Sequence, residues 1–201
     1  YEIASCLVGS EMCIRDSQTE ELLQRLRDGQ IDVAVLATPT GATGVSEIPL
    51  YDETFAVITT PDHPLAGRDD LDLNALKDLE LLLLDDGHCL RDQIVELCKI
   101  AEVNRSPGAQ SVTRAASLTT VVQLVVAGLG STLVPVSALS TECARPGIAV
   151  SAFGPGVDAK RTVGLAMRAS SRRRPEFEQL GELVSRAFKE ATESSRKLLP
   201  R

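Results

Sequence analysis

The chain has 201 residues, 43% of them apolar, and a formal net charge of -7, which is length enough for one two-lobed domain or two small ones. The acidic balance argues against a chain that grips a phosphate backbone by itself, and 3% aromatics with no Trp leave little for base-stacking platforms. No apolar run long enough to span a bilayer and no basic-then-apolar leader is present, so neither a transmembrane helix nor a secretory signal is expected.

Residues 1–17 follow neither a period of 2 nor one of 3.6, and they look like a translated sequencing-adapter sequence. We read them as a non-native or artefactual segment, with an ordinary first strand and loop as the alternative, and leave Cys6 and Cys13 out of the functional argument. From Thr19 the pattern becomes regular. Leu22, Leu23 and Leu26 recur at helical spacing over residues 19–28, with Thr19 as the expected N-cap and Gly29 as the C-cap. Residues 31–36 read as a buried strand, 38–46 as a Gly/Thr/Pro loop, and 47–51 and 55–59 as two further strands. The helix-then-strand order predicts an α/β domain with a largely parallel sheet. Pro61-Asp62-His63-Pro64 is a turn.

Residues 79–84 are the next strand and 90–101 the next helix. Residues 105–110 read as loop and 112–115 as a short strand. Ser117 caps a helix to about Val126, which Ala127-Gly128-Leu129-Gly130 ends. Strands over 131–136, 148–153 and 161–168 follow, the first leading into a short helical turn. Pro175 then opens a long amphipathic helix with Phe177, Leu180, Leu183, Val184 and Phe188 on one face. Residues 193–201 read as a frayed tail.

The segment with the most chemistry is Asp85-Asp86-Gly87-His88-Cys89-Leu90-Arg91-Asp92, after the apolar run 81–84, with Cys98 nine positions beyond Cys89. A cysteine at a helix start, flanked by His88 and Arg91, with a second cysteine further on, is the layout of a reactive thiol and a distant resolving partner. The attacking species is the thiolate, and an ordinary cysteine with a pKa of about 8.5 is only slightly ionised at neutral pH. A helix N-terminus, Arg91 and His88 each supply positive potential. The bland alternative for Cys89 is a buried structural thiol, and Cys98, on the side of Leu90, Ile94 and Leu97, fits a core position as well as a resolving one. Five cysteines, an odd number at low density, suit a reducing cytoplasm, where disulfides are transient.

Cys143 lies in a loop-like context and reads as incidental. His63 has no second ligand nearby, and two histidines without a Cys-x-x-Cys motif argue against zinc; no metal or cofactor is expected. Arg172-Arg173-Arg174 reads as a solvated basic face, with contact to DNA or polymerase as the alternative.

The run Gly87-His88-Cys89-Leu90-Arg91-Asp92-Gln93 with Cys98, together with Gln18-Thr19, Asp62-His63-Pro64, Arg114 to Leu118, Ala127 to Pro135 and Arg161 to Leu165, resembles the OxyR family of peroxide sensors among LysR-type transcription regulators. The resemblance covers about residues 18–189; the cysteine run is specific, whereas the Ala-Gly-Leu-Gly segment is shared by LysR-type regulators generally. It implies an α/β, two-lobed, periplasmic-binding-protein-like regulatory domain with a cleft between lobes. Lobe I would comprise residues 18–55 and 161–192, lobe II residues 56–160, and 193–201 the tail. The family's winged helix-turn-helix and the first strand and helix of lobe I have no counterpart here, so the reading is of a fragment with an incomplete lobe I.

The resemblance further implies that Cys89 is oxidised by hydrogen peroxide and captured by Cys98, and that Thr19, His88, Arg91, Asp92 and Arg161 line the peroxide pocket. Each has an ordinary alternative: a helix cap for Thr19, a turn histidine for His88, an exposed ion pair for Arg91 and Asp92, a strand-edge charge for Arg161. The implied partners are a second copy of the domain (a dimer, and a tetramer of the full protein), with promoter DNA and RNA polymerase only in the full-length protein, and no membrane. The implied role is a sensor and not an enzyme. The rival readings are a LysR-type domain that binds a small metabolite with silent cysteines, and a thiol peroxidase that turns over continuously.

Overall fold

The computed structural model describes Ile14 and residues 17–86, 88–102 and 114–200. The N-terminal segment expected to be non-native lies almost wholly outside these, as do the loop expected over 105–110 and the first residues of the strand expected over 112–115.

Helix α1 (Thr19–Arg27) carries Glu20 and Glu21 in its first turn and Arg25 and Arg27 in its last, matching both ends of the helix dipole. Its N-cap is Gln18, one residue before the position expected from sequence. Leu23 and Leu26 are buried against Ala34, Leu36 and Ala166. Those three residues belong to β1 (Val33–Thr38) and β7 (Lys160–Arg168), which pair antiparallel.

The backbone of the molecule is β2 (Val45–Thr59), a single strand where the sequence suggested two. Polar Asp52-Glu53-Thr54 interrupts the apolar pattern, yet it stays in the strand and pairs with β7. The register shifts between Pro49 and Tyr51, as expected where a proline cannot donate to the ladder. From Val45 to Thr54 the strand lies against β7; from Phe55 onward it pairs instead with β5 (Thr132–Pro135) on one side and β6 (Ala149–Ala152) on the other. One strand thus runs through both lobes.

The expected parallel sheet is therefore a correction: every pairing among β1, β7, β2, β5 and β6 is antiparallel. Because β2 crosses from one lobe to the other, β7 must return beside it in the opposite direction. Parallel pairing survives between β3 (Leu83–Leu84) and β4 (Arg114–Ala115), and at the bridges Leu71↔Phe153 and Leu81↔Ser131.

The larger core surrounds the second half of β2, with α2 (Cys89–Ile100) and α3 (Leu118–Val126) supplying Leu90, Ile94, Leu97, Val121, Val122 and Val125. Ser117 caps α3, its hydroxyl accepting from the Thr120 amide at 3.2 Å. After α3, Gly130 holds φ +147, and a Cβ there would lie 2.5 Å from the Glu80 carbonyl oxygen. Only glycine lets the chain pass this close to the neighbouring segment.

Helix α4 (Arg174–Ser195) starts on the β1–β7 side, where Phe177 packs with Leu165 and Met167. The face expected from sequence holds for Phe177, but Leu183 is exposed, and Gly181 is the buried residue one turn on from Phe177. A Cβ on Gly181 would come 2.7 Å from Leu50 Cδ2, so its absence lets the helix sit close on β2. Phe188 stacks on Tyr51 with centroids 3.7 Å apart.

The tail expected to fray is instead anchored. Ser195 is fully buried, donates to the Ser137 carbonyl and accepts from the Ser140 amide, while Leu198 and Leu199 pack on the large core. Among the described residues no helix is long and apolar enough to cross a membrane.

Candidate functional site

Cys89 is the first residue of α2, and His88 is its N-cap with extended backbone (φ -86, ψ 120). The His88 carbonyl accepts from the Arg91 amide at 2.9 Å and the Asp92 amide at 3.3 Å, which closes the first turn around the thiol. Both His88 and Cys89 are half-buried. Arg91 is paired with Asp86 at 2.7 Å and with Asp92 at 3.5 Å, and its own Nε is buried with no hydrogen-bond partner among the described residues.

Arg91 is shared between two carboxylates, Asp86 and Asp92, so the positive field at Cys89 is that of the helix N-terminus it opens. That field favours an anion, and it is strongest within the first turn.

Cys98 lies in the last turn and a half of the same helix, half-buried against the large core. Cys89, Cys98 and Cys143 are all thiols. A nine-residue helical rise is about 13 Å, so the two α2 sulfurs cannot meet while the helix is intact.

Cys143 differs in kind. It ends a π-helical turn, Leu139–Cys143, not the loop expected from sequence, and it is 3% exposed. Burial, with Glu142 adding to it, pushes its thiol up to about 11. A thiol held protonated in this way is inert.

Arg161, on β7, faces Glu53 across the β2–β7 pairing. Its Nε and Nη2 both donate to Glu53 Oε2 at 2.6 Å, and its guanidinium lies 5.9 Å from the Phe55 ring centroid. Glu53 is 3% exposed, and its other oxygen accepts from the Ser137 hydroxyl. Arg161 Nη1 also approaches Gln93 Oε1, at 3.4 Å, on α2. Removing one partner from a buried pair of this kind typically costs about 3–5 kcal/mol.

The structure thus gathers His88, Cys89, Arg91 and Asp92 at one helix start and ties Arg161 to the same helix through Gln93. Thr19 stands apart: it opens α1, which packs on β1 and β7, and the described hydrogen bonds and ion pairs do not link it to α2.

Sequence reasoning missed Glu53 and Gln93. The signal for Glu53 was present, because strand alternation through Tyr51, Glu53 and Phe55 put a carboxylate at an inward position. Gln93 is four residues from Cys89, hence on the same helical face.

The remaining sequence candidates have ordinary partners. His63 Nδ1 accepts from the Leu65 amide at 3.1 Å. Arg173 pairs with Asp32 and Glu176, and Arg174 with Glu178. Among the described residues no group of three or more His, Cys, Asp or Glu is placed to hold a metal.

A family model described as the LysR substrate binding domain matches residues 10–189. The chain belongs to the LysR substrate-binding domain family, whose two-lobed architecture is the one described above. Within that family it is similar to the OxyR proteins. It is 45% identical, over 190 residues, to a Mycobacterium avium protein named "Probable hydrogen peroxide-inducible genes activator", covering 91% of this chain and 59% of the relative.

Among solved structures, a cysteine-to-serine mutant of Corynebacterium glutamicum OxyR in H2O2-bound form matches with TM-score 0.86 and 57% identity, over 90% of this chain and 56% of that one. The reduced OxyR regulatory domain from Pseudomonas aeruginosa matches with TM-score 0.71 and 34% identity, over 86% of this chain and 79% of that one. The chain spans a little over half the length of the curated relative it matches, and most of the isolated regulatory domain.

Proposed function

We propose that this chain is the hydrogen-peroxide-sensing regulatory domain of a LysR-type activator of oxidative-stress genes, switching through Cys89 and Cys98. One observation carries the reading: a half-buried thiol opens α2, a second thiol lies nine residues along the same helix, and the relatives bear the name of hydrogen peroxide-inducible activators.

The Cys89 thiolate attacks one peroxide oxygen. The O–O bond breaks, an S–O bond forms, and hydroxide leaves to take up a proton as water. Sulfur is oxidised by two electrons to a sulfenic acid. Cys98 sulfur then displaces that hydroxyl, forming the S–S bond and a second water, with its thiol proton going to the leaving oxygen. Both peroxide oxygens end in water, and both thiols are oxidised to one disulfide. His88, Arg91, Asp92 and Arg161 serve to hold peroxide and orient its leaving oxygen, and Thr19, at the start of α1, offers its hydroxyl from across the cleft.

The segments 18–55 and 161–192 form lobe I, and 56–160 form lobe II with the redox pair. Residues 1–9 lie outside the part of the chain that the family model matches. The protein acts as a cytoplasmic sensor and not as an enzyme, because the disulfide is the signal and its reduction comes from elsewhere. The full-length protein associates as an oligomer through this domain and acts on promoter DNA with RNA polymerase.

Titration of reactive thiols against limiting peroxide tests this reading. Two thiols lost per peroxide, in a single round without added reductant, supports it. No thiol loss in the folded domain, with a small metabolite stabilising wild type and Cys89→Ser alike, overturns it in favour of metabolite binding.

A further inference from the structure

Arg161, proposed above to hold peroxide, is itself held in an unusual orientation for a strand arginine. A lone arginine on a strand would turn its guanidinium toward water, since both its stem and its charge gain from snorkelling. Here it does not: the Arg161 side chain is 17% exposed. Its orientation is set from below by Glu53, which is almost completely buried.

Two guanidinium nitrogens, Nε and Nη2, converge on one oxygen of that carboxylate at 2.6 Å. The Ser137 hydroxyl, from the turn that follows β5, donates to the other oxygen and stops the carboxylate from rotating. Phe55 lies under the guanidinium at 5.9 Å. What remains free of that anchoring is Nη1, and Nη1 is the atom that reaches Gln93 on α2, at 3.4 Å. Gln93 is one helical turn from Cys89 on the same face. The anchored pair therefore presents its positive end to the face of α2 that bears the thiol.

We propose that Glu53 is a positioning residue for the peroxide step: it fixes Arg161 against Gln93, one turn from Cys89, so that the guanidinium meets the peroxide and its leaving oxygen in place. This rests on the peroxide-sensing reading above. An orienting group displaced by about 1 Å loses up to a hundredfold in rate. Without its carboxylate, a charge as enclosed as Arg161 turns toward solvent.

The test compares two second-order rates at Cys89 in the reduced chain, with hydrogen peroxide and with iodoacetamide. Alkylation needs the thiolate but no orientation of a leaving oxygen, so the ratio of the two rates isolates orientation. A purely structural ion pair leaves the ratio unmoved.

For Glu53→Gln the ratio is expected to fall about tenfold or more, with Glu53→Asp recovering part of the loss. In an Arg161→Gln background, Glu53→Gln should then have no further effect, because the two residues act as one unit. Should Glu53→Gln not fold, Ser137→Ala keeps the ion pair and must show the same selective loss on a smaller scale.

An unchanged ratio in the folded variants overturns the proposal, as do effects that multiply in the double variant. A wild-type rate with peroxide no faster than that of an ordinary free cysteine overturns instead the peroxide-sensing reading, and the positioning role with it.

Discussion

Cys89 and Cys98 occupy the first residue and the last turn of one unbroken helix, α2. About 13 Å of helical rise separates them, whereas a disulfide needs Cα atoms within about 7 Å. Bond formation and helix integrity therefore exclude each other. Closing a loop of this length contributes about 2–3 kcal/mol, which is of the size needed to move a two-state element. Oxidation of this domain is expected to lower ellipticity at 222 nm and to expose the amides of residues 89–98 to hydrogen exchange, relative to the reduced protein. Disulfide formation with unchanged exchange over α2 would contradict this.

Cys98→Ser separates the two steps. With no resolving thiol, Cys89 is expected to stop at the sulfenic acid, trapped by dimedone, and the α2 amides should stay protected after peroxide. An intramolecular disulfide with Cys89 in this variant would remove Cys98 from its role.

Cys143 supplies the internal control. Its folded-state value near 11 lies above the ordinary 9.0 of a free thiol. Between these two values the unfolded chain has lost the proton and the folded one has kept it. The unfolded state thus binds fewer protons, and stability falls as pH rises from about 9 to about 11. Cys143→Ala is expected to flatten this alkaline loss in urea titrations. At neutral pH, Cys143 should alkylate far more slowly than Cys89 in the folded protein.

Gly130 tests the path of the chain between α3 and β5. Its φ of +147 and the 2.5 Å approach of any Cβ to the Glu80 carbonyl predict that Gly130→Ala destabilises by roughly 1–3 kcal/mol. The check is the urea midpoint. Gly156, also at positive φ but with no atom within 4 Å of its Cβ position, should cost less when changed to Ala.

Much of this architecture was legible in the sequence because it follows local rules. Helix α1 shows its Leu23 and Leu26 stripe, α3 shows Ser117 and the Ala127 to Gly130 stop, and α2 begins beside the expected cysteine. What failed was non-local. The direction of the sheet depends on β7 returning beside β2 after more than a hundred residues, which no helix-then-strand order reveals.

The Asp52-Glu53-Thr54 stretch looked like a break between strands because its apolar pattern lapses. It stays a strand because Glu53 finds Arg161, 108 positions away, and Asp52 finds Lys160 and Thr162. The thiol pair was visible from spacing and flanking residues; strand alternation marked Glu53 as inward, but its role was hidden, since a buried carboxylate is explained only by its partner.

The most direct measurement is a peptide map of the reduced protein before and after a small excess of hydrogen peroxide, with remaining thiols alkylated. The account predicts a linked peptide joining Cys89 to Cys98, with Cys143 still alkylatable once the protein is unfolded. If Cys89 remains freely alkylatable after peroxide while the domain is folded, the redox switch is not a property of this chain.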